Sequence, residues 1–370
     1  MTDRMSRAER RAAPNPAPVP SEAEPGRGQS GGLSSSGERS GRKAWRGLQD
    51  RPMYPSGEGL KQRGAALLTA MIIVTLVTTL AASMVWQQWR AVQVETAERA
   101  RTQSAWILSG ALDWARLILR EDARTSKSVD HLGEPWAVPL AEARLSTFLA
   151  ADREATDDAP EAFLSGWIVD AQARYNLRNL VDDQGQVLAR ESETLQRLCE
   201  IAGVADSVAL QLANGLRDAI VRETGRPAPE TAPLLPRSVA QLAWLGLDAD
   251  ALARLAPYVV LLPERTPLNL NTAAREVVSA VAGVDLGNAE RLVQARQRSP
   301  LNSVAEAATQ LQLSSLRDLQ SRAGTATRYF EVHGRLRLAD RVLEQRSLLR
   351  RDNLVVTPLR RERSSLQAAG

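Results

Sequence analysis

From Ala65 to Trp86 the chain runs 22 residues without a charged side chain. A helix of that length spans roughly 33 Å, enough to cross the hydrocarbon core of a bilayer. Beyond it, apolar residues recur at helical spacing. Ile107, Ala111, Trp114 and Ile118 form one line, and Leu108, Leu112, Ala115 and Leu119 widen it. No proline falls between Ala65 and Asp122. The pattern therefore predicts one long helical rod, apolar all round in its first half and amphipathic in its second.

Gly133, Pro135 and Pro139 end that periodicity. Trp167, Val169 and Ala171 then alternate as the apolar side of a half-buried strand. Asn176 and Asn179 suit one turn, and Asp182, Asp183 and Gly185 suit another. From Ser192 to Thr325 the period is helical again. Near the end Phe330, Val332, Leu336 and Leu338 alternate, Ala339–Asp340 can turn the chain, and Val342 to Arg350 and Leu354 to Pro358 predict two further strands. This order describes an α+β protein.

Composition sets the ends apart. The first 64 residues are rich in Pro, Gly, Ser, Arg and Ala, and the tail "LRRERSSLQAAG" is polar throughout. Both are expected to be disordered, because neither buries enough apolar surface to offset its chain entropy. The net charge of +4 arises largely from these ends. Arg42, Lys43, Arg46, Arg51, Lys61 and Arg63 precede the apolar run, which predicts a cytoplasmic N-terminus and an exported remainder. Trp86 and Trp89 suit the far interface. "LAAS" at Leu80–Ser83 offers a small-residue cut site, but the apolar run is longer than a secretory signal needs.

Candidate chemistry is sparse. The one cysteine, Cys199, allows no intramolecular disulfide and lies in "TLQRLCEIAG", where a buried thiol is expected. His131 and His333 are the only histidines. No Cys/His metal cluster or Ser-His-Asp set can be assembled, so no enzyme and no cofactor are expected. Asp182 and Asp183 offer oxygens to calcium but lack EF-hand spacing, and solvated turn carboxylates are the better reading.

Two stretches share a plan. "LQRLCEIAGVADSVALQLANGLRDAI" and "REVVSAVAGVDLGNAERLVQARQRS" each place a helix, then Ala-Gly-Val, a short turn and a second helix, with Gly203 and Gly283 where the first helix ends. "PRSVAQLAWLGLDADALARLAPYVVLLPE" is a third helical unit. The pairs resemble helix-hairpin-helix repeats, and "TPLNLNTAAREVVSAVAGV" resembles DNA receptors of the competence type. A DNA-binding hairpin needs Gly-x-Gly so that backbone N–H groups reach a phosphate. Here the second glycine is replaced by Ala205 and by Asp285, so nucleic-acid binding is disfavoured. Arg291, Arg296 and Arg298 read as a solvated helix face. In "TPLNLNTA", Asn271 or Thr272 is expected to cap the helix starting near Ala273, and Asn269 to satisfy the preceding turn.

Basic residues, then Gly64, then an unbroken apolar helix resemble the class III leader of type IV pilin-like proteins. Three further blocks resemble the minor pseudopilin K family of type II secretion: "GWIVDAQARYNLRNLVDDQG", "LAPYVVLLPERTPLNLNTA" and the C-terminal "TRYFEVHGRLRLADRVLEQRSLLRRDNLVVTPLRRER". The resemblance runs from Gly64 to about Arg361. It implies cleavage by a prepilin peptidase between Gly64 and Ala65 and methylation of the new N-terminus. Most pilins carry Glu at the fifth mature position; here it is Thr69, a departure shared with the K subunit, which has no subunit above it. The implied fold is α+β and pilin-like, with a long N-terminal helix packed on a small antiparallel sheet. A large all-helical insertion would carry two helix-hairpin-helix or SAM-like repeats. The expected segments are a leader (1–64), a transmembrane part (65–86) and an amphipathic part (87–124) of one helix. A first head segment (125–190), the helical insertion (191–325), C-terminal strands (326–358) and a tail (359–370) follow. The implied partners are the I and J minor pseudopilins, the prepilin peptidase and the inner-membrane assembly platform. The chain would be single-pass in the bacterial inner membrane, with a periplasmic head at the filament tip.

Overall fold

Helix α1 spans Gly59–Thr125, 67 residues, so Gly64 lies within the helix and not at its start. The computed structural model describes residues 59–125, 129–145, 162–227, 229–313, 315–338 and 341–367. The expected disordered leader lies outside these residues, save for the helical backbone of 59–64, and so does the expected turn at Ala339–Asp340. The chain divides into two units, Met1–Thr78 and Thr79–Gly370. In the first, Thr69 donates to the carbonyl of Ala65 at 2.8 Å, Thr75 to that of Ile72 at 2.9 Å and Thr78 to that of Val74 at 2.8 Å. Such back-bonding lets hydroxyls sit in an apolar stretch without an outside partner. The helix is long and apolar enough to cross a membrane.

The second unit is built on a five-stranded antiparallel sheet in the order β1-β2-β7-β8-β9. Its strands are β1 (Leu140–Arg144), β2 (Ala162–Asp170), β7 (Tyr329–Leu338), β8 (Arg341–Asp352) and β9 (Val355–Gln367). The line Leu108, Leu112, Ala115, Leu119 of α1 is buried. Leu112, Ala115 and Leu119 meet Trp136, Phe330, Val332, Leu349 and Val356, with Trp136 edge-on to Phe330 at 5.3 Å. Burying each such large side chain contributes about 1.5–3 kcal/mol. Trp114, expected in the stripe, is half-exposed.

Two expectations for the strands are corrected. In β2 the inward residues are Leu164 and Ile168, opposite Leu336 and Val332, whereas Trp167 faces away and stacks on His333 at 4.8 Å. Ala171 is buried, but in a 3-10 turn after the strand, where strand parity no longer applies. Both faces of β2 carry apolar residues, so alternation alone could not choose between them; the register with β7 does. Second, β9 continues to Gln367, through most of the tail expected to be disordered, and past the expected strand end at Pro358. Pro358 pairs with Leu349 and Arg360 with Leu348, leaving Leu359 as an extra residue. An edge strand tolerates both proline and bulge. The charged run holds its register through Arg346 opposite Glu362 and an Arg363–Gln345 hydrogen bond of 2.8 Å.

Between β2 and β7 the chain is mostly helical. The α-helices are α2 (Ala189–Ala202), α3 (Asp206–Glu223), α4 (Ala249–Leu255), α5 (Arg275–Ala282), α6 (Leu286–Arg298), α7 (Val304–Gln310) and α8 (Leu316–Arg322). They share one apolar core that includes Leu195, Leu198, Cys199, Leu212, Leu216, Val277 and Leu292. Gly203 and Gly283 end α2 and α5 at φ of 65° and 71°, the left-handed conformation expected of them. Short parallel pairs join distant segments: β3 (Tyr175–Asn176) with β4 (Val259–Val260), and β5 (Leu268–Asn269) with β6 (Ala323–Gly324).

Candidate assembly surface

The positions singled out for processing and assembly all lie on α1. Ala65 and Thr69 are exposed, as are the apolar residues Leu67, Leu68, Met71, Ile72 and Ile73 around them. Thr69 brings no charge to this stretch, and its hydroxyl is spent on Ala65.

A second apolar surface lies where α1 crosses the sheet. A groove of about 440 Å³ runs beside the helix. Trp106, Gly110 and Trp114 line it on the helix side, and Val138 and Leu140 across from them. Gly166 pairs with Gly334 beneath. A Cβ on Gly166 would meet the carbonyl oxygen of His333 at 2.6 Å, and one on Gly334 would press Leu108 at 3.4 Å. The absent side chain of Gly334 therefore lets α1 approach the sheet closely, and that of Gly166 lets the backbones of β2 and β7 come together. Trp106 is 74% exposed and Val138 69%. Both side chains therefore leave apolar surface open to solvent beside the groove.

The helical region is tied to the sheet by buried polar side chains; Asn269 also makes the turn contact expected of it, its Oδ1 accepting the amide of Asn271 at 3.0 Å, whereas Asn271 and Thr272 differ from expectation. Thr272 donates to Asp170 Oδ2 at 2.6 Å, and Asn269 Nδ2 donates to the same oxygen at 2.8 Å. Asn271 exchanges two hydrogen bonds with the backbone of Leu301. Helix α5 starts at Arg275 with Ala274 as its N-cap and no side-chain cap. Asn271 and Thr272 are thus tethers, because a turn that bonds the amides of Thr272 and Ala273 to the carbonyl of Asn269 intervenes before the helix begins. Burial and these hydrogen bonds act on Asp170 in opposite senses, and burial prevails, raising its pKa.

Arg296 is also corrected. It is buried, and its guanidinium donates to the carbonyls of Leu270 and Ala273. Desolvation lowers its pKa to about 10. Arg291 and Arg298 are exposed as expected. Only the fold of the preceding loop back over α6 distinguishes Arg296 from these neighbours. Asn176 and Asn179 do more than turn the chain. Asn176 Nδ2 donates to the carbonyl of Glu264 at 2.7 Å and its Oδ1 accepts the amide of Leu262 at 3.1 Å. Asn179 exchanges two hydrogen bonds with the backbone of Thr266. The "RYNLRNL" and "PERTPLNLNTA" blocks, read separately in the sequence, therefore bind each other.

The remaining candidates have structural partners. Asp285 caps α6 by accepting the amide of Asn288 at 2.9 Å, which keeps its carboxyl below the usual range. A carboxylate thus holds the amide that a phosphate would require at that hairpin. Asp182 accepts the amides of Gln184 at 2.9 Å and Gln186 at 2.7 Å within its own turn. Cys199 is buried, and desolvation pushes its thiol up to about 11.

Comparison with known proteins agrees with this arrangement. Two family models described as type II secretion system protein K match residues 173–264 and 268–327. The type II secretion system protein K of Pseudomonas aeruginosa is 31% identical over 302 residues, covering 76% of this chain and 86% of that one. That of Klebsiella pneumoniae is 29% identical over 269 residues, covering 66% and 78%. The fold is also similar to a chain in the crystal structure of the GspK-GspI-GspJ complex from enterotoxigenic Escherichia coli. There the TM-score is 0.55 at 17% identity, over 72% of this chain and 98% of the other. The chain belongs to the type II secretion system protein K family, the minor pseudopilins of that machinery.

Proposed function

We propose that this chain is the tip subunit of the type II secretion pseudopilus. In this reading it assembles with the I and J minor pseudopilins and starts the filament that exports folded proteins across the outer membrane. A prepilin peptidase cuts between Gly64 and Ala65 and methylates Ala65, and the mature chain then sits in the inner membrane with its head in the periplasm. The assembly platform receives it there, and the chain performs no catalysis. The helices from 191 to 325 form an inserted domain built on two related helix pairs.

The observation that carries this reading is the apolar surface of α1 around Trp106 and Trp114, which no described residue covers. A related complex contains K, I and J chains together, and a partner helix laid along α1 would bury this surface. Thr69 supports the tip position: a neutral side chain bonded to its own helix cannot pair with the amino terminus of a subunit above. The competence-type DNA receptor is not favoured, because Asp285 occupies its own hairpin amide.

The test is co-expression of the full chain with I and J, followed by native mass spectrometry. A 1:1:1 complex is expected, and Trp106→Glu with Trp114→Glu should abolish it while the protein remains folded. Labelling that finds the chain along the whole shaft, at levels near the major subunit, would overturn the tip assignment.

A further inference from the structure

The first charged side chain beyond Arg63 is Arg90. Counted along a helix from Ala65, it lies about 38 Å on. A hydrocarbon core is about 30 Å thick, and headgroups extend a bilayer to about 40–45 Å. With Ala65 at one boundary of the core, Arg90 reaches the level of the opposite headgroups.

Arg90 meets no counter-charge on α1. Farther along the helix, Arg99 pairs with Glu95 at 2.5 Å, Arg101 with Glu98 at 2.8 Å, Arg116 with Asp113 at 2.7 Å and Arg124 with Glu121 at 3.0 Å. Each of these acids stands one turn before its arginine. One turn before Arg90 stand Trp86 and Gln87, and one turn after it Gln93 and Val94. Glu95, the nearest acid along the helix, is taken by Arg99. Among the described residues, Arg90 therefore has no ion-pair partner. Arg120 shares this property, but it lies beside the β8–β9 hairpin and far from the apolar run.

What Arg90 does meet is an aromatic ring. Its guanidinium carbon lies 5.6 Å from the centre of the Trp86 ring, within cation–π range. Trp86, Arg90 and Gln93 follow one another on one face of the helix, with Trp89 beside them. Arg90 is exposed, and so are both indoles. The ring holds one face of the guanidinium and leaves its N–H edge free. Such an edge matches two oxygens of a phosphate.

We propose that Trp86, Trp89 and Arg90 form a binding site for the phosphate of a membrane phospholipid. Charge complementarity names this occupant: a cation without an acid, at headgroup level, faces a layer whose anion is phosphate. The guanidinium donates to the phosphate oxygens, and the indoles pack against the lipid below it. The site sets how deep α1 sits. Beyond Arg90 come Ala91, Val92 and Val94, which offer no barrier to sinking before Glu95. Trp106 stands about 24 Å farther along the helix than Arg90, so the same contact fixes the height of the assembly surface. This inference rests on the reading that α1 crosses a membrane.

The test places a nitroxide on the full chain at Gln88→Cys, on the side of α1 away from Arg90. Cys199 is buried and does not compete for the label. Collisions with oxygen and with a nickel chelate report the depth of the label in vesicles of phosphatidylethanolamine and phosphatidylglycerol. Arg90→Gln should sink the label by up to about 7.5 Å, the rise from Arg90 to Glu95. Arg90→Glu shuns the core as arginine does but is repelled by phosphate, so it should move the label outward. In vesicles of digalactosyldiacylglycerol, which has no phosphate, the wild type should lose its depth, and inorganic phosphate should not restore it. Equal depths for wild type and Arg90→Glu, or one wild-type depth in both lipids, would overturn the site. Restoration by inorganic phosphate would show an open anion site and overturn the lipid assignment. A wild type that does not float with the vesicles would overturn the membrane reading and the site with it, whereas flotation with unmoved labels would overturn the site alone.

Discussion

Thr272 donates its hydroxyl to a carboxylate oxygen of Asp170 at 2.6 Å, although 102 positions separate them in the chain. Asn269 donates to the same oxygen, and the amide of Gln172 donates to the other at 2.7 Å. One buried acid thereby joins the end of β2 to the "TPLNLNTA" loop. Asp170→Ala would leave several buried donors without an acceptor. The expected loss is about 2–4 kcal/mol, measured by denaturant unfolding of the purified protein. Asp170→Asn, which keeps one acceptor oxygen, should lose clearly less. Equal losses would show that the oxygens are not the tie.

Arg296 should separate sharply from its neighbours on α6. Arg296→Ala leaves the carbonyls of Leu270 and Ala273 without their donor in a buried site, for an expected cost of about 2–3 kcal/mol. Arg291→Ala and Arg298→Ala, both at exposed positions, should stay within about 0.5 kcal/mol of wild type. Comparable unfolding midpoints for all three variants would contradict the buried role.

Glu331 on β7 predicts acid sensitivity. Burial favours its neutral form, but the His333 ring nitrogen 3.9 Å away and the charges of Arg174 and Arg346 outweigh that and hold it at about 2. Arg174 Nη2 lies 2.5 Å and Arg346 Nη2 2.6 Å from its oxygens. A depressed carboxyl stabilises the fold above its ordinary value near 4.5 and ceases to as pH falls through about 2. Wild type should therefore lose on the order of 2–3 kcal/mol from this group across that window. Glu331→Gln should be less stable at pH 7 and show a shallower acid limb. Parallel limbs for the two proteins would refute the assignment.

Processing is expected to fail when Gly64 is made bulky and charged. Co-expression with a prepilin peptidase should yield a mature chain that starts at N-methylated Ala65, whereas Gly64→Arg should remain uncut. Mass analysis of the N-terminus reads both outcomes directly. A start near Ser83 would instead point to a secretory signal.

What the sequence determined by itself is local. The uncharged run, the absence of proline to Asp122, and the Leu108–Leu112–Ala115–Leu119 line are enough to specify α1 and its buried side, because helix period and breakers act within a few turns. Gly203 and Gly283 marked their helix ends for the same reason: the left-handed residue is a local demand. Tertiary structure decided everything that depends on what lies opposite. The inward face of β2 follows from its register with β7, since Leu164, Ile168, Trp167 and Val169 make both faces apolar. The extension of β9 to Gln367 follows from pairing with β8, which orders a charged stretch that could bury no core of its own. Arg296 and Thr272 looked like a surface charge and a helix cap because their partners, Leu270, Ala273 and Asp170, are brought to them only by the folded chain. A polar residue announces that it needs a partner; its sequence neighbours do not say whether that partner is water or a distant part of the fold.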